Sequence, residues 1–282
     1  LEKIGFIANL DKSGVGEVAL RLARWLEQRG VKPLILKSNS VKLGCPWWGA
    51  EPEALAKADC VLSLGGDGTL LRAARILAPW GTPILGVNLG HLGFLTEIEV
   101  KELFPAIEQL LLGHFHIEER MMLVSFLVRQ GSQKEFWALN DVVITKGAFS
   151  RMLKLKVYIG PHYLDTYRAD GLIISSPTGS TAYSLSAGGP LVSPQLQVMI
   201  LTPICPHTLY ARPLVVPAEQ EIRVTVYTAG AEVMLTVDGQ QGINLMHEDE
   251  VVTTRAPFSA RLIRLRERSF YSLLREKFRE GE

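Results

Sequence analysis

The chain has 282 residues, with 30 Lys and Arg against 29 Asp and Glu for a net charge of +1, and is 47% hydrophobic and 21% charged. This is the make-up of a globular protein with a real core, and the balanced charge removes the basic footprint of a dedicated nucleic-acid binder, so no nucleic-acid partner is expected. Three scattered cysteines, Cys45, Cys60 and Cys205, fit neither a disulfide framework nor a zinc site; no apolar run nears the roughly 18 residues of a membrane span, and no basic-then-apolar leader opens the residues given, so a cytoplasmic protein with no membrane partner is expected.

Residues Ile4 to Leu10 read as a buried strand, followed by a helix-period stretch through Val18, Leu22, Trp25 and Leu26. Val31 to Leu36 supplies a second strand. Asp59 to Leu64 supplies a third, running directly into Gly65-Gly66-Asp67-Gly68-Thr69 and a helical run to Leu77, and Pro83 to Val87 gives a fourth. Strands alternating with helices predict a parallel, doubly wound, Rossmann-like α/β half. After Glu97 one helical segment, Val100 to Leu112, gives way to short β-rich runs at 123–128, 142–144, 172–174, 222–226 and 233–237. Their spacing, with Gly and Pro between them, predicts a β-sandwich. Ser269 to Glu280 carries Phe270, Leu273, Leu274 and Phe278 on one face and reads as an amphipathic terminal helix packed on the protein. The expected division is 1–98 with 269–282 as the α/β domain and 99–268 as the β-rich domain.

Gly65-Gly66-Asp67-Gly68-Thr69 stands at the carboxyl end of a strand and opens a helix, where open α/β sheets take ligands. Glycines let a phosphate approach the backbone closely, and a helix N-terminus favours negative charge. Asp67 beside phosphates makes sense if it faces a hydroxyl it can deprotonate or a metal ion, which points to phosphoryl transfer to an alcohol. The bland alternative is a βα turn with Asp67 as a helix cap. Asn140-Asp141 offers an amide and a carboxylate suited to a sugar's vicinal hydroxyls, and a plain turn between strands accounts for it equally well. The block from Arg168 through Asp170 to Pro190 ends a strand in a hydroxyl-rich loop that starts a helix; it carries donors for phosphates or polar rings, Tyr183 for stacking and small residues that permit close approach, which favours binding over a plain N-capped helix after a Pro-containing turn.

Other matches carry less. Gly14-Val15-Gly16-Glu17-Val18-Ala19 fits a dinucleotide fingerprint but lies several residues past its strand, and no acidic residue follows the second strand. His114 and His116 have no third ligand, the Trp47-Trp48 pair reads as packing, and no GxxxxGK[ST] string occurs.

Taken in order, Gly65-Gly66-Asp67-Gly68-Thr69, the run Asn88 to Leu95, Asn140-Asp141, the Asp170-to-Pro190 block and Val237-Asp238-Gly239-Gln240 closely resemble the NAD kinase family. The Gly-Gly-Asp-Gly turn alone is shared with phosphofructokinases and with diacylglycerol and sphingosine kinases, whereas the Thr178-to-Pro190 stretch is more particular. The resemblance implies an enzyme that phosphorylates the adenosine-side ribose 2′-hydroxyl of NAD with ATP or polyphosphate, helped by Mg²⁺ on the donor. It implies an α/β domain, a β-sandwich domain, a terminal helix returning to the first, and a homodimer or homotetramer. Carried across by motif, Asp67 is the proton acceptor, with Gly68 and Arg72 beside it. Asn140 and Asp141 hold ribose hydroxyls. Arg151, Arg168, Asp170, Thr178, Thr181, Ala182, Tyr183, Ser184, Leu185, Ser186 and Gln240 complete the site. The competing readings are a lipid kinase built on the same turn and a non-catalytic NAD-binding sensor.

Overall fold

The alternating apolar runs at the start of the chain form a parallel sheet. In the computed structural model, which describes residues 1–90, 93–147, 152–207, 210–228 and 230–279, these are β1 (Lys3–Ala8), α1 (Val15–Glu27), β2 (Lys32–Leu36), α2 (Lys37–Lys42), β3 (Gly49–Ala50), α3 (Pro52–Leu55), β4 (Cys60–Gly65), α4 (Asp67–Leu77), β5 (Ile84–Asn88), β6 (Ile98–Glu99) and α5 (Leu103–Leu111). Strands run in the order β3-β2-β1-β4-β5, all parallel. Every residue of β4 and β5 is buried, the pattern of strands covered on both faces. On α1, Val15, Ala19, Leu22, Ala23 and Leu26 recur at helical spacing and bury one face against Ile4, Phe6, Leu62 and Leu85.

The second strand ends at Leu36, as expected, and the next residues turn into α2, where Asn39 is buried and pairs with Ala8 through both its amide groups, at 3.0 and 2.9 Å. This side chain extends β1 as a strand partner would. Trp48 is buried with its indole N–H donating to Glu27 Oε1 at 3.1 Å, whereas Trp47 is exposed.

The middle of the chain is antiparallel. It comprises β7 (His116–Arg129), β8 (Ser132–Ala138), β9 (Asp141–Lys146), β10 (Leu153–Ile159), β11 (His162–Ala169), β12 (Gly171–Ser175), the single-turn α6 (Tyr183–Ser186), β13 (Val198–Ile204), β14 (Leu214–Pro217), β15 (Ile222–Tyr227), β16 (Val233–Val237), β17 (Gln241–Leu245) and β18 (Glu250–Arg264). One layer is β14-β13-β12-β9-β16-β17; the other contains β11-β10-β15-β18, with the β7–β8 hairpin beside β18. Burial alternates along β10, β15 and β16, and Leu155, Val157, Val224 and Val226 from one layer share a core with Ile144, Leu172, Ile174 and Leu235 from the other. This is a β-sandwich. Arg129 clasps it by gripping the buried Asp249 carboxylate at 2.6 Å and the Asn244 carbonyl at 2.7 Å. Finally, α7 (Phe270–Arg279) closes the described chain as the expected terminal helix.

By internal contacts the chain separates into Leu1–Glu119 with Phe258–Glu282, and Arg120–Pro257. Residues 99–119 and 258–268, expected with the β-rich half, therefore group with the α/β unit. The reason lies in the core: Leu103, Ala106, Ile107 and Leu110 of α5, and Ile263, pack into the same cluster as Phe6 and Leu64. Among the described residues no helix is long and apolar enough to cross a membrane.

One close approach sets how α4 sits on its sheet. A Cβ on Gly86 of β5 would lie 2.7 Å from Leu70 Cδ1 and 2.9 Å from the Thr96 Cα. Gly86→Ala should therefore lower stability by about 1–3 kcal/mol, the usual cost of overpacking, read as a reduced melting temperature.

Candidate active site

The Gly65-Gly66-Asp67-Gly68-Thr69 turn joins β4 to α4 at the carboxyl ends of β4 and β5. The helix begins with Gly66 at its cap position, where there is no side chain to cap with, and Asp67 is the first helical residue. The alternative that Asp67 serves as the cap is thus corrected. Its carboxylate turns instead to the loop after β5, accepting the N–H groups of Phe94 (2.8 Å), Leu95 (3.2 Å) and Thr96 (3.1 Å). The loop is moulded closely on this group: a Cβ on Gly93 would fall 2.1 Å from Asp67 Oδ1.

That loop is fastened from its other side. Arg264 donates to the Leu95 carbonyl at 3.0 Å and to Glu97 at 3.1 Å, and its Nε reaches Glu118 at 2.6 Å. Glu97 in turn accepts the N–H groups of Leu265 and Arg266. Asn88 donates to Thr96 Oγ1, which also accepts the Gly93 N–H. Lys12, from the loop after β1, places its ammonium 2.7 Å from the Gly65 carbonyl and about as close to Gly66 as a side chain there would allow. Gly68 and Arg72 are exposed on the first turns of α4. Positive charge, glycine backbone and a helix N-terminus thus meet at Gly66, a setting that suits a phosphate.

The second cluster lies in the β-sandwich unit. Leu139, Asn140 and Asp141 form a turn whose three successive N–H groups all point at the Asp238 carboxylate, at 3.2, 2.8 and 3.2 Å. Asn140 Oδ1 is buried with no hydrogen-bond partner among the described residues. Asp141 is 4% exposed, and burial, with the Asp238 charge beside it, pushes its carboxyl up to about 7. A Cβ on Gly179 would lie 2.1 Å from the Asn140 carbonyl oxygen, so the loop after β12 comes directly against this turn.

Within that loop, Thr178–Thr181 is a 3₁₀ turn and α6 has only four residues. The helix expected to start in this loop is a single turn, too short to align the peptide units that would draw an anion to its N-terminus. Thr178 is buried and accepts from Arg120 at 3.5 Å; Thr181 donates to the Thr178 carbonyl. Ser184 is buried against Thr202, at 3.0 Å between hydroxyls. Ala182 and Leu185 are half-buried, Ser186 is exposed, and Tyr183 presents an exposed ring. Gln240 is exposed in the turn after β16, its N–H bonded to Val237.

Asp170 sits at the other end of β12, paired with Lys146 of β9 at 2.8 Å. Register puts Gly171 opposite Thr145 and Ser175 opposite Asp141, so the two clusters on these strands are four residues, roughly 13 Å, apart. Arg168 is exposed at the end of β11, its carbonyl accepting the His207 N–H. Arg151 lies outside the described residues, as do His91 and Leu92 of the Asn88-to-Leu95 run.

The structure therefore gathers Asn140, Asp141 and Thr178 to Thr181, and separately places Asp67, Gly68 and Arg72 on one turn. Sequence reasoning passed over Lys12, Lys146 and Asp238. The last was visible inside Val237-Asp238-Gly239-Gln240, where an Asp before a Gly marks a turn that can gather main-chain N–H groups.

Comparison with known proteins agrees along the whole chain. Residues 4–115 match the ATP-NAD kinase N-terminal domain and residues 139–265 the ATP-NAD kinase C-terminal domain. The NAD kinase of Moorella thermoacetica is 64% identical over 281 residues, covering 100% of this chain and 90% of that protein, and the NAD kinase of Heliobacterium modesticaldum is 50% identical over 282 residues, covering 99% of each. The crystal structure of yeast NADH kinase complexed with NADH superposes with a TM-score of 0.87 at 24% identity, covering 98% of this chain and 86% of that one. An NAD kinase from Archaeoglobus fulgidus in complex with ATP gives 0.77 at 24% identity, covering 98% of both chains. At that identity the two structures speak for the fold, an α/β domain with a β-sandwich, and the relatives speak for the family. The chain belongs to the NAD kinase family.

Proposed function

We propose that this enzyme transfers a phosphoryl group from ATP or polyphosphate to the adenosine-side ribose 2′-hydroxyl of NAD, giving NADP. The observation that carries the reading is the full-length identity to NAD kinases with the Gly65-to-Thr69 turn in place. It favours NAD phosphorylation over the lipid-kinase and sensor readings of the same turn.

The chemistry asks for positioning more than for covalent work. A bond forms between the 2′-oxygen and the terminal phosphorus of the donor, the bond from that phosphorus to the bridging oxygen breaks, and the shortened donor leaves. The hydroxyl proton goes to Asp67. Three N–H donors on a carboxylate with about four acceptor sites leave room for one hydroxyl, and they hold the group in a fixed orientation. Lys12 and the N-terminus of α4 supply positive charge for donor phosphates.

Asn140 and Asp141 hold ribose hydroxyls, and the unpartnered Asn140 Oδ1 is the acceptor a ligand hydroxyl would satisfy. Thr178, Thr181, Ala182, Tyr183, Ser184, Leu185 and Ser186 line the same ligand, with Arg151, Arg168, Asp170 and Gln240 further along it.

A divalent cation bound to the donor phosphates, Mg²⁺ by preference, would offset part of their charge. Among the described residues no group of three His, Cys, Asp or Glu could cage a metal, and Mg²⁺ carried by a nucleotide needs only one or two carboxylates. The family resemblance supports action in the cytoplasm as a homodimer or homotetramer.

NAD lacking the 2′-hydroxyl should bind without being phosphorylated; a coupled assay that detected phosphorylated 2′-deoxy-NAD would sink the assignment. Asp67→Asn should lower kcat by about 10²- to 10⁴-fold, the worth of a positioned base. It should also lower the melting temperature, because the amide turns N–H toward N–H in the 94–96 loop, a loss of about 1–3 kcal/mol. A folded Asp67→Asn enzyme keeping more than about a tenth of wild-type kcat would remove Asp67 from the proton-accepting role.

Asp141 sets a pH dependence. Its carboxyl titrates at about 7, so its full acceptor capacity for ribose hydroxyls exists only above that pH, and kcat/KM for NAD should rise through about pH 7. Stability runs the other way: the folded chain holds this proton more tightly than the unfolded chain, with its ordinary value of 3.8, so stability falls as pH rises from about 4 to about 7. Asp141→Asn should flatten both trends in rate profiles and thermal melts.

A further inference from the structure

We propose that Asp238 is a positioning residue for substrate binding, holding the Leu139–Asp141 turn so that Asn140 and Asp141 present their side chains to the ribose; this rests on the NAD kinase reading above.

The main chain of the turn is fully accounted for. The N–H groups of Leu139, Asn140 and Asp141 go to the Asp238 carboxylate, Oδ2 taking the first and Oδ1 the other two. The carbonyls go elsewhere: Leu139 to the Ser176 hydroxyl at 2.5 Å, Asn140 to the Ser176 N–H at 2.9 Å and the Ser175 hydroxyl at 3.2 Å, and Asp141 to the N–H of Asp238 itself at 2.9 Å. Asp238 is 7% exposed and sits in the left-handed region at φ 49°, a conformation Asp tolerates better than most residues. Against this satisfied backbone, the Asn140 side chain keeps a buried oxygen without a partner. Rigid main chain with an unsatisfied side-chain acceptor is the arrangement of a preorganised binding turn.

An acceptor-only group is required. Asparagine in place of Asp238 offers one oxygen, and its NH₂ would meet at least one of the three N–H groups head-on. The negative charge also has an effect on its neighbour. Burial first, then Asp238, keeps the Asp141 carboxyl protonated to higher pH. The elements flanking β9 at this end contribute Ser175 from β12, Val237 from β16 and the Thr178–Thr181 turn with Arg120 bonded to it. Among the described residues, Asp238 is the charged group whose field acts on Asp141.

Asp238→Asn tests both effects in the full-length enzyme. KM for NAD should rise by about 10-fold or more, as expected for loss of a charged acceptor of buried N–H groups, while kcat stays within about 3-fold. The rising limb of kcat/KM near pH 7 should also move to lower pH, since a neutral neighbour no longer opposes ionisation of Asp141; a purely structural change would leave that midpoint in place. An unmoved KM and limb, or a kcat loss at constant KM, would overturn the positioning role. If the variant does not fold, hydrogen exchange on the wild-type protein decides: the amides of 139–141 should be strongly protected, and exchange at the open-chain rate would refute the clamp. Wild type that makes no NADP would refute the kinase reading instead, with the exchange result still judging the clamp.

Discussion

Both candidate clusters depend on the same device, a carboxylate that collects three successive main-chain N–H groups. Asp67 gathers Phe94 to Thr96 and Asp238 gathers Leu139 to Asp141. Hydrogen bonds to an ionised acceptor are roughly twice as strong as neutral ones, so a short arc of chain with no regular structure is held as firmly as a strand. Each arc is also secured through its carbonyls, Leu95 by Arg264 and Asn140 by Ser175 and Ser176. The sheets and cores serve to bring these carboxylates to fixed positions.

The two carboxylates differ in what they leave exposed to a ligand. Asp67 is itself the group proposed to react, so its N–H donors orient it. Asp238 is buried, and in the proposed role it acts through its neighbours, presenting Asn140 and Asp141. On that reading the first arrangement prepares a reactive group and the second a recognition surface.

Much of the fold was legible because apolar periodicity reports burial directly. The all-buried runs at β4 and β5 read as parallel strands, and α1 and α7 announced themselves by helical spacing. Asp67 was legible through its unusual company of glycines. Less visible was anything that depends on pairing between distant segments. The β10–β11 hairpin carries polar residues on its exposed face and raised no apolar signal, and Asn39 as a stand-in strand partner for Ala8 is a contact across 31 positions. The helix expected in the hydroxyl-rich loop is one turn only, and the close approach of Gly179 to the Asn140 carbonyl is another contact between distant segments. Asp238 escaped for the same reason: its partners lie about a hundred residues earlier in the chain.

The discontinuity of the α/β unit imposes an order on synthesis. Arg120–Pro257 is one unbroken stretch, whereas the other unit needs Phe258 onward to supply Leu262 beside Ile84 and Ile263 to its core. On a ribosome the β-sandwich segment is therefore available in full while the first hundred residues still lack the arginine that anchors Leu95, and through it the loop on Asp67. The first half emerges early and is finished last. During that interval β6 covers Val87 and Asn88 while the start of β5 lacks the β18 segment that later lies beside Ile84, and such an edge invites wrong partners. The proposed reactive turn thus acquires its final brace only after the β-sandwich segment has been made, which ties acquisition of a shaped site to prior synthesis of the second unit.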